Sequence, residues 1–320
     1  MRTRSQTWPV TTRTASLLAI AWFALSGAPG IAQSGPDAGL SVVVTIQPWA
    51  SLAGAVGGER VEVVTLLPPG ASPHSFDPSP SAAVALARAD AIIMNGGLDD
   101  WLLRLLDATA SDARKVILLD TVDLDLLSDG APHDQTSSHG ADHEDDHDHS
   151  GVNSHVWLDP VAAAQAVHAV AEAFSVLDPA HQAEYVANAT HVEARLLDLD
   201  EELRSVLGPF AGAGIVQFHD AWSHFARRYD LVIIATLEPF PGREPSAAYL
   251  ASTIDTIRAA GVNVIFSEGQ LSDRSARVVA ESAGVGLVVL DPLGGAPGPT
   301  DYFELLLWNA ARIADALKSD

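Results

Sequence analysis

Imidazoles crowd one stretch of this chain. His133, His139, His143, His147, His149 and His155 fall within PHDQTSSHGADHEDDHDHSGVNSH and make up half of its 12 histidines. Imidazole nitrogens and carboxylate oxygens at that density bind divalent transition metals. Three isolated residues carry a sharper signal, because each follows a short apolar run: His74 in PPGASPHSFDPSP, His219 in QFHDAW and Asp291 in LDPLG. Together with His155, which opens HVWLDP, they offer three imidazoles and one carboxylate, a set suited to four-coordinate zinc. Nitrogen donors favour zinc over manganese, whereas copper and nickel accept the same donors, so selectivity among those ions rests on geometry and supply. Asp77, Asp159 and Asp220 stand beside the histidines. They can accept the second ring N–H or cap a helix, and capping is the expectation for Asp159 ahead of Pro160.

The elements that position these residues read as α/β. Short apolar runs at Ser41–Ile46, Val61–Leu67, Ala91–Met94, Lys115–Leu119, Gly214–Phe218, Leu231–Leu237, Val262–Ser267 and Val285–Leu290 are bounded by Gly, Pro, Asp or Asn, the pattern of buried strands. Helical patterns alternate with them at Pro80–Ala89, Asp99–Thr109, Pro160–Phe174, Ala247–Ala260 and Ser272–Ala283, which predicts parallel sheets covered by helices. In such folds ligands bind beyond the carboxyl ends of the strands, where His74, His219 and Asp291 fall. Between the two sets of units, Tyr185, Ala189, Val192, Leu196, Leu199, Leu203 and Val206 form one helical stripe. With Asp178 as N-cap, Pro179 at the first position and Gly208 as the stop, the spacing predicts a helix about 43 Å long. It serves either as a rigid spine between two lobes or as a coiled-coil seam.

Residues 1–32 have a basic start (Arg2, Arg4, Arg13), an apolar stretch from Ala15 to Leu25 and small residues at Gly30-Ile31-Ala32, the pattern of an export signal. The expected plan is a signal peptide at 1–32 and an N-terminal lobe at 33–177 with a mobile His/acid-rich loop at 130–154. A connecting helix at 178–208 and a C-terminal lobe at 209–320 complete it. Two metal candidates then come from each lobe, which puts the metal in the cleft between them. The net charge of −23 argues against nucleic-acid or anionic-membrane partners and raises the local concentration of cations. The absence of cysteine excludes disulfides and thiolate metal sites and leaves no acceptor for a lipid anchor. The expected location is therefore the periplasm, as a free protein.

The ordered motifs PHSFDPSPSAAVALARADAIIMNGGLDDWL, the His-rich run, HVWLDP, the helix with Tyr185 and Asn188, FHDAWSHFARRYDL, EPS at Glu244–Ser246, VIFSEGQ and LDPLG span essentially the whole exported chain. In that order they resemble the zinc-uptake, ZnuA-type solute-binding receptors of ABC importers. The resemblance implies two (β/α) lobes joined by one long backbone helix and a single metal in the interlobe cleft. It matches His74, His155 and His219 to the family's histidine ligands, Asp291 to its carboxylate position and Glu268 to a cleft acid. A second carboxylate at position 219 would instead resemble the manganese receptors.

The expected function is thus a periplasmic receptor that is not an enzyme. It captures Zn2+ and delivers it to an inner-membrane ABC permease, with a periplasmic metallochaperone as a further candidate partner and a monomer as the default state. The His-rich loop is expected to collect ions near the cleft mouth through His133, His139, His143, His147 and His149. Alternatives are a receptor for manganese, iron or nickel, an adhesin on the same fold, and a zinc hydrolase. The last would need an open coordination position and a nearby base, and no H-E-x-x-H helix occurs.

Overall fold

Valine-, isoleucine- and leucine-rich runs too short for helices become strands when both of their faces are covered. In the computed structural model, which describes residues 39–99, 101–109, 111–123, 153–295 and 297–318, they form two sheets. The first half of the chain runs β1 (Leu40–Val44), α1 (Gln47–Gly57), β2 (Val61–Thr65), α2 (Pro80–Leu86), β3 (Ala91–Met94), α3 (Trp101–Thr109) and β4 (Arg114–Ile117). The helices α4 (Pro160–Leu177) and α5 (Gln182–Leu207) follow. The second half runs β5 (Gly214–Gln217), α6 (Ser223–Arg228), β6 (Val232–Thr236), α7 (Ala247–Ala260), β7 (Val264–Glu268), α8 (Arg274–Ala283), β8 (Gly286–Leu290) and α9 (Tyr302–Leu317). The expected leader at 1–32 and the histidines at 133, 139, 143, 147 and 149 lie outside the described residues.

Both sheets are four-stranded and wholly parallel, with orders β2-β1-β3-β4 and β6-β5-β7-β8. The same winding occurs twice. In each sheet the chain reverses its direction of growth between the first and third strands, β1/β3 and β5/β7. Such a switch point opens a crevice at the strands' carboxyl ends. The eight predicted strands are all present, with ends shifted by at most two residues.

The long helix joins the two lobes. One face, Tyr185, Ala189, Val192, Leu196, Leu199, Leu203 and Leu207, is buried and packs on α4, with further contacts to α1 and α9. That stripe is consumed inside the chain, so the coiled-coil alternative gives way to the spine. The helix has 26 residues, about 39 Å. Its ends differ from expectation. A 3-10 turn at Pro179–His181 precedes it, and Asp178 Oδ2 accepts from His181 Nδ1 at 2.7 Å and Tyr185 Oη at 2.9 Å instead of capping backbone N–H groups. Gly208 is right-handed at φ −52° and leads into another 3-10 turn, Gly208–Phe210. The left-handed glycine is Gly212, at φ 82°.

Candidate metal centre

Each of the three histidines reaches the cleft by a different local device. His74 stands on a 3-10 turn, Pro73–Ser75, in the loop after β2. Pro68, Pro69, Pro73 and Pro78 fix φ and withhold N–H donors there, so the segment remains a loop. His219 follows β5, and Gln217 braces the turn that shows it. The Gln217 side chain accepts from Trp222 N at 3.1 Å and donates to Asp220 Oδ1 at 2.9 Å and Thr236 Oγ1 at 3.0 Å. His155 precedes a one-turn 3-10 helix, Val156–Leu158, in a segment buried without a break from 153 to 160. Asn95, at the end of β3, donates to Ser154 O at 2.9 Å. Asp159 caps α4, accepting from Val161 N at 2.9 Å and Ala162 N at 3.3 Å, and pairs with Arg228 at 2.7 Å.

The three rings converge. Their centroids are 5.0 Å (His155–His219), 5.2 Å (His74–His219) and 5.4 Å (His74–His155) apart, and one nitrogen from each lies within 4.8 Å of the others. They border a cavity of about 10 Å3, room for one ion or water. The Nε2 atoms of His155 and His219 are 3.2 Å apart. Their Nδ1 atoms are committed elsewhere: that of His155 to Asn153 Oδ1 at 3.1 Å, and that of His219 to Glu268 Oε1 at 2.8 Å. Both partners accept, so both Nδ1 atoms carry a proton, and in the neutral rings both Nε2 atoms present lone pairs to each other. Two lone pairs at that distance repel unless a proton on His219 or a metal ion lies between them. Tetrahedral zinc with Zn–N of about 2.0–2.1 Å sets its ligand nitrogens about 3.3 Å apart, so the spacing fits the ion.

Electrostatics prepare the same result. Burial, reinforced by the nearby His219, His74 and His224, holds His155 well below the ordinary imidazole value. Burial of the ring, then His219, pushes His74 down to about 3, although the residue keeps a solvent-exposed edge. His219 moves the other way. Burial alone would lower it, but the charge and hydrogen bond of Glu268, with Asp220 and Glu238 beyond, raise it. Two of the three candidate ligands are therefore held neutral, and the third, His219, keeps its proton more tightly than an ordinary imidazole.

The predicted oxygen ligands are placed differently. Asp291 directly follows β8 and is fully buried, but it is not in the three-imidazole group. Its Oδ1 accepts from Gln270 Nε2 at 2.6 Å, Gly294 N at 2.8 Å and Leu293 N at 3.0 Å, and its Oδ2 from Gly298 N at 2.8 Å. Glu268, the last residue of β7, orients His219 and lines the cavity, and its Oε2 has no hydrogen-bond partner. A carboxylate behind a ligand histidine fixes the tautomer and strengthens the donor. Of the three acids considered for such a role, Asp159 caps a helix and Asp220 bonds Gln217. Asn153, which serves His155, is the residue that sequence reasoning missed. Its signal is an Asx turn, the side chain accepting from the N–H two residues on at 3.0 Å.

Two parallel-sheet lobes, a spine helix and a cluster of three imidazoles drawn from both halves of the chain define a bilobal metal-receptor architecture. A sequence-family model described as zinc-uptake complex component A, periplasmic (ZnuA), matches residues 42–316, and the chain belongs to that family. It is 30% identical over 262 residues to the zinc-binding lipoprotein AdcA of Streptococcus pneumoniae, covering 82% of this chain and 51% of AdcA. It thus spans about half of that relative's length. A zinc-bound ZnuA deletion mutant superposes with TM-score 0.73 at 28% identity, covering 87% of this chain and 98% of that one. FpvC of Pseudomonas aeruginosa in complex with Ni2+ gives TM-score 0.73 at 26% identity, covering 88% and 97%.

Proposed function

We propose that this chain is an extracytoplasmic receptor that captures one Zn2+ with His74, His155 and His219 and delivers it to an ABC permease. The observation that carries the reading is the pair of Nε2 lone pairs 3.2 Å apart, each fixed by an acceptor behind it. Export through the leader at 1–32 into a periplasm, a monomeric state and loading by a metallochaperone belong to the same reading. So does ion collection by the His-rich run at 130–154. For the fourth position, Asp291 Oδ1 is taken up by Gln270 and two backbone N–H groups, whereas its Oδ2 accepts only from Gly298 N and keeps a lone pair. Glu268 Oε2 is an uncommitted oxygen lining the cavity, and water is the third candidate. Nickel is the second reading, since imidazoles suit it equally and a nickel-bound protein shares the fold.

Competitive titration with zinc, nickel and manganese, monitored with a chromophoric chelator, tests the ion. The expected result is one tight zinc per chain, beyond the weaker ions taken by the His-rich run, with manganese far weaker. Tight nickel with weak zinc would keep the receptor and change its cargo. The absence of any tight ion would refute the proposal.

A further inference from the structure

His224 is fully buried, one helical turn beyond the metal-site segment, and its position suggests ordinary packing. Its contacts show more. Its Nε2 lies 2.9 Å from the backbone oxygen of Asn153, and burial lowers its pKa, so the neutral ring donates from Nε2. Nδ1 is left without a partner.

Asn153 links His155 to the segment that carries His219. Its Oδ1 accepts both from His155 N at 3.0 Å and from His155 Nδ1 at 3.1 Å, so one amide oxygen fixes the backbone and the ring of that ligand. The amide is in turn oriented by Nδ2 donating to Asp220 O at 2.9 Å. Asp220 and His224 both lie in the segment that carries His219, on the C-terminal side of the spine, whereas His155 precedes α4 on the other side. The aim of His155 is therefore set across the lobe boundary. Trp157 reinforces the connection by donating from Nε1 to Pro292 O at 2.7 Å.

Resting on the metal-receptor reading, we propose that His224 and Asn153 form a positioning pair. It aims the His155 lone pair at the metal and makes that ligand productive only while the two lobes are engaged. Separation of the segments around 153 and 224 frees the amide, and His155 then loses both its tautomer lock and its direction. Release of the ion from the receptor would follow from opening alone, without a competing ligand.

The test compares wild type with His224→Phe, which keeps a planar aromatic ring and removes the donor, and His224→Gln, whose amide nitrogen replaces Nε2. Zinc competition, zinc dissociation rate and the visible spectrum of the protein loaded with equimolar Co2+ report the loaded site. Long-range 1H–15N spectra of the metal-free protein report the His155 tautomer. For His224→Phe we expect a 10–100-fold loss of zinc affinity, faster dissociation, an altered cobalt spectrum and loss of the single Nδ1–H form. His224→Gln should restore most of each. Asn153→Ala keeps the backbone oxygen that His224 holds and removes the Oδ1 that fixes His155, so it reads the other half of the pair if His224→Phe does not fold. Its combination with a folded position-224 variant should cost no more than the larger single change. Wild-type affinity, spectrum and tautomer in a folded His224→Phe or Asn153→Ala protein would overturn the pair. Absence of tight zinc in the wild type would instead overturn the receptor reading on which it rests.

Discussion

His155 and His219 differ from His74 in how they are held. The first two are buried, with 5% and 4% of their surface exposed, and each has an acceptor behind its Nδ1. His74 keeps an exposed edge on a proline-bounded surface turn, and its ring makes no hydrogen bond among the described residues. Two of the candidate ligands are thus preset, His219 by a strand end and His155 by a buried segment, and the third is supplied by a loop. A site built this way keeps its geometry in the fixed pair and its access at the loop side, since hydrogen-bonded, tightly packed groups resist reorganisation and exposed turns do not.

The contrast is broken most severely by losing a fixed ligand. His219→Ala removes a donor and also leaves the buried Glu268 carboxylate without its partner. Zinc affinity should fall by more than the roughly 100-fold ceiling of changes behind a ligand, with a lower melting temperature of the metal-free protein. His74→Ala should cost less than His219→Ala in the same titration, because solvent reaches its position and no buried partner is orphaned. Equal losses would erase the distinction between preset and loop-supplied ligands.

Glu268→Gln sharpens the comparison at the next level. The His219 geometry survives while the carboxylate charge is lost, so affinity should drop about 10–100-fold. The variant also changes the pH profile. With Glu268 present, His219 binds its proton more tightly than an ordinary imidazole, whereas His74 and His155 stay neutral into acid. Zinc affinity of the wild type should therefore begin to fall above pH of about 6.5 and drop roughly tenfold per pH unit below the His219 value. In Glu268→Gln that fall should move to lower pH. A wild-type profile flat from pH 8 to 5 would contradict the assignment of the exchanging proton to His219. Asp291→Asn should have the smallest effect, under about tenfold, if the carboxylate braces the loop around Gly294 and Gly298 rather than entering the shell. A loss beyond about 100-fold would make Asp291 a ligand.

Much of this was legible in the sequence because it depends on local pattern. Buried parallel strands are continuous apolar runs, so all eight were visible, and position after a strand was enough to bring His74 and His219 to the same end of the fold. The stripe from Tyr185 to Leu203 showed the spine, but not its ends. Asp178 is drawn away by His181 and Tyr185, and Gly208 stays right-handed ahead of Pro209. The direction of a side chain was the part that could not be read. Asp291 directly follows β8 as expected, and its orientation follows the backbone N–H groups of 293, 294 and 298. Those groups are arranged by a loop whose course depends on packing, such as the close approach of Gly298 to Leu305. Asn153 and His224 meet across 71 positions, a separation that no spacing rule encodes.

The central claim is that three imidazoles hold one zinc. Zinc K-edge X-ray absorption on the protein loaded with slightly less than one equivalent measures it directly. The account predicts imidazole scattering from three rings at about 2.0–2.1 Å with one oxygen in the remaining position, and one ring fewer in His219→Ala. A shell with fewer than three imidazoles in the wild type, or one unchanged by His219→Ala, would contradict it.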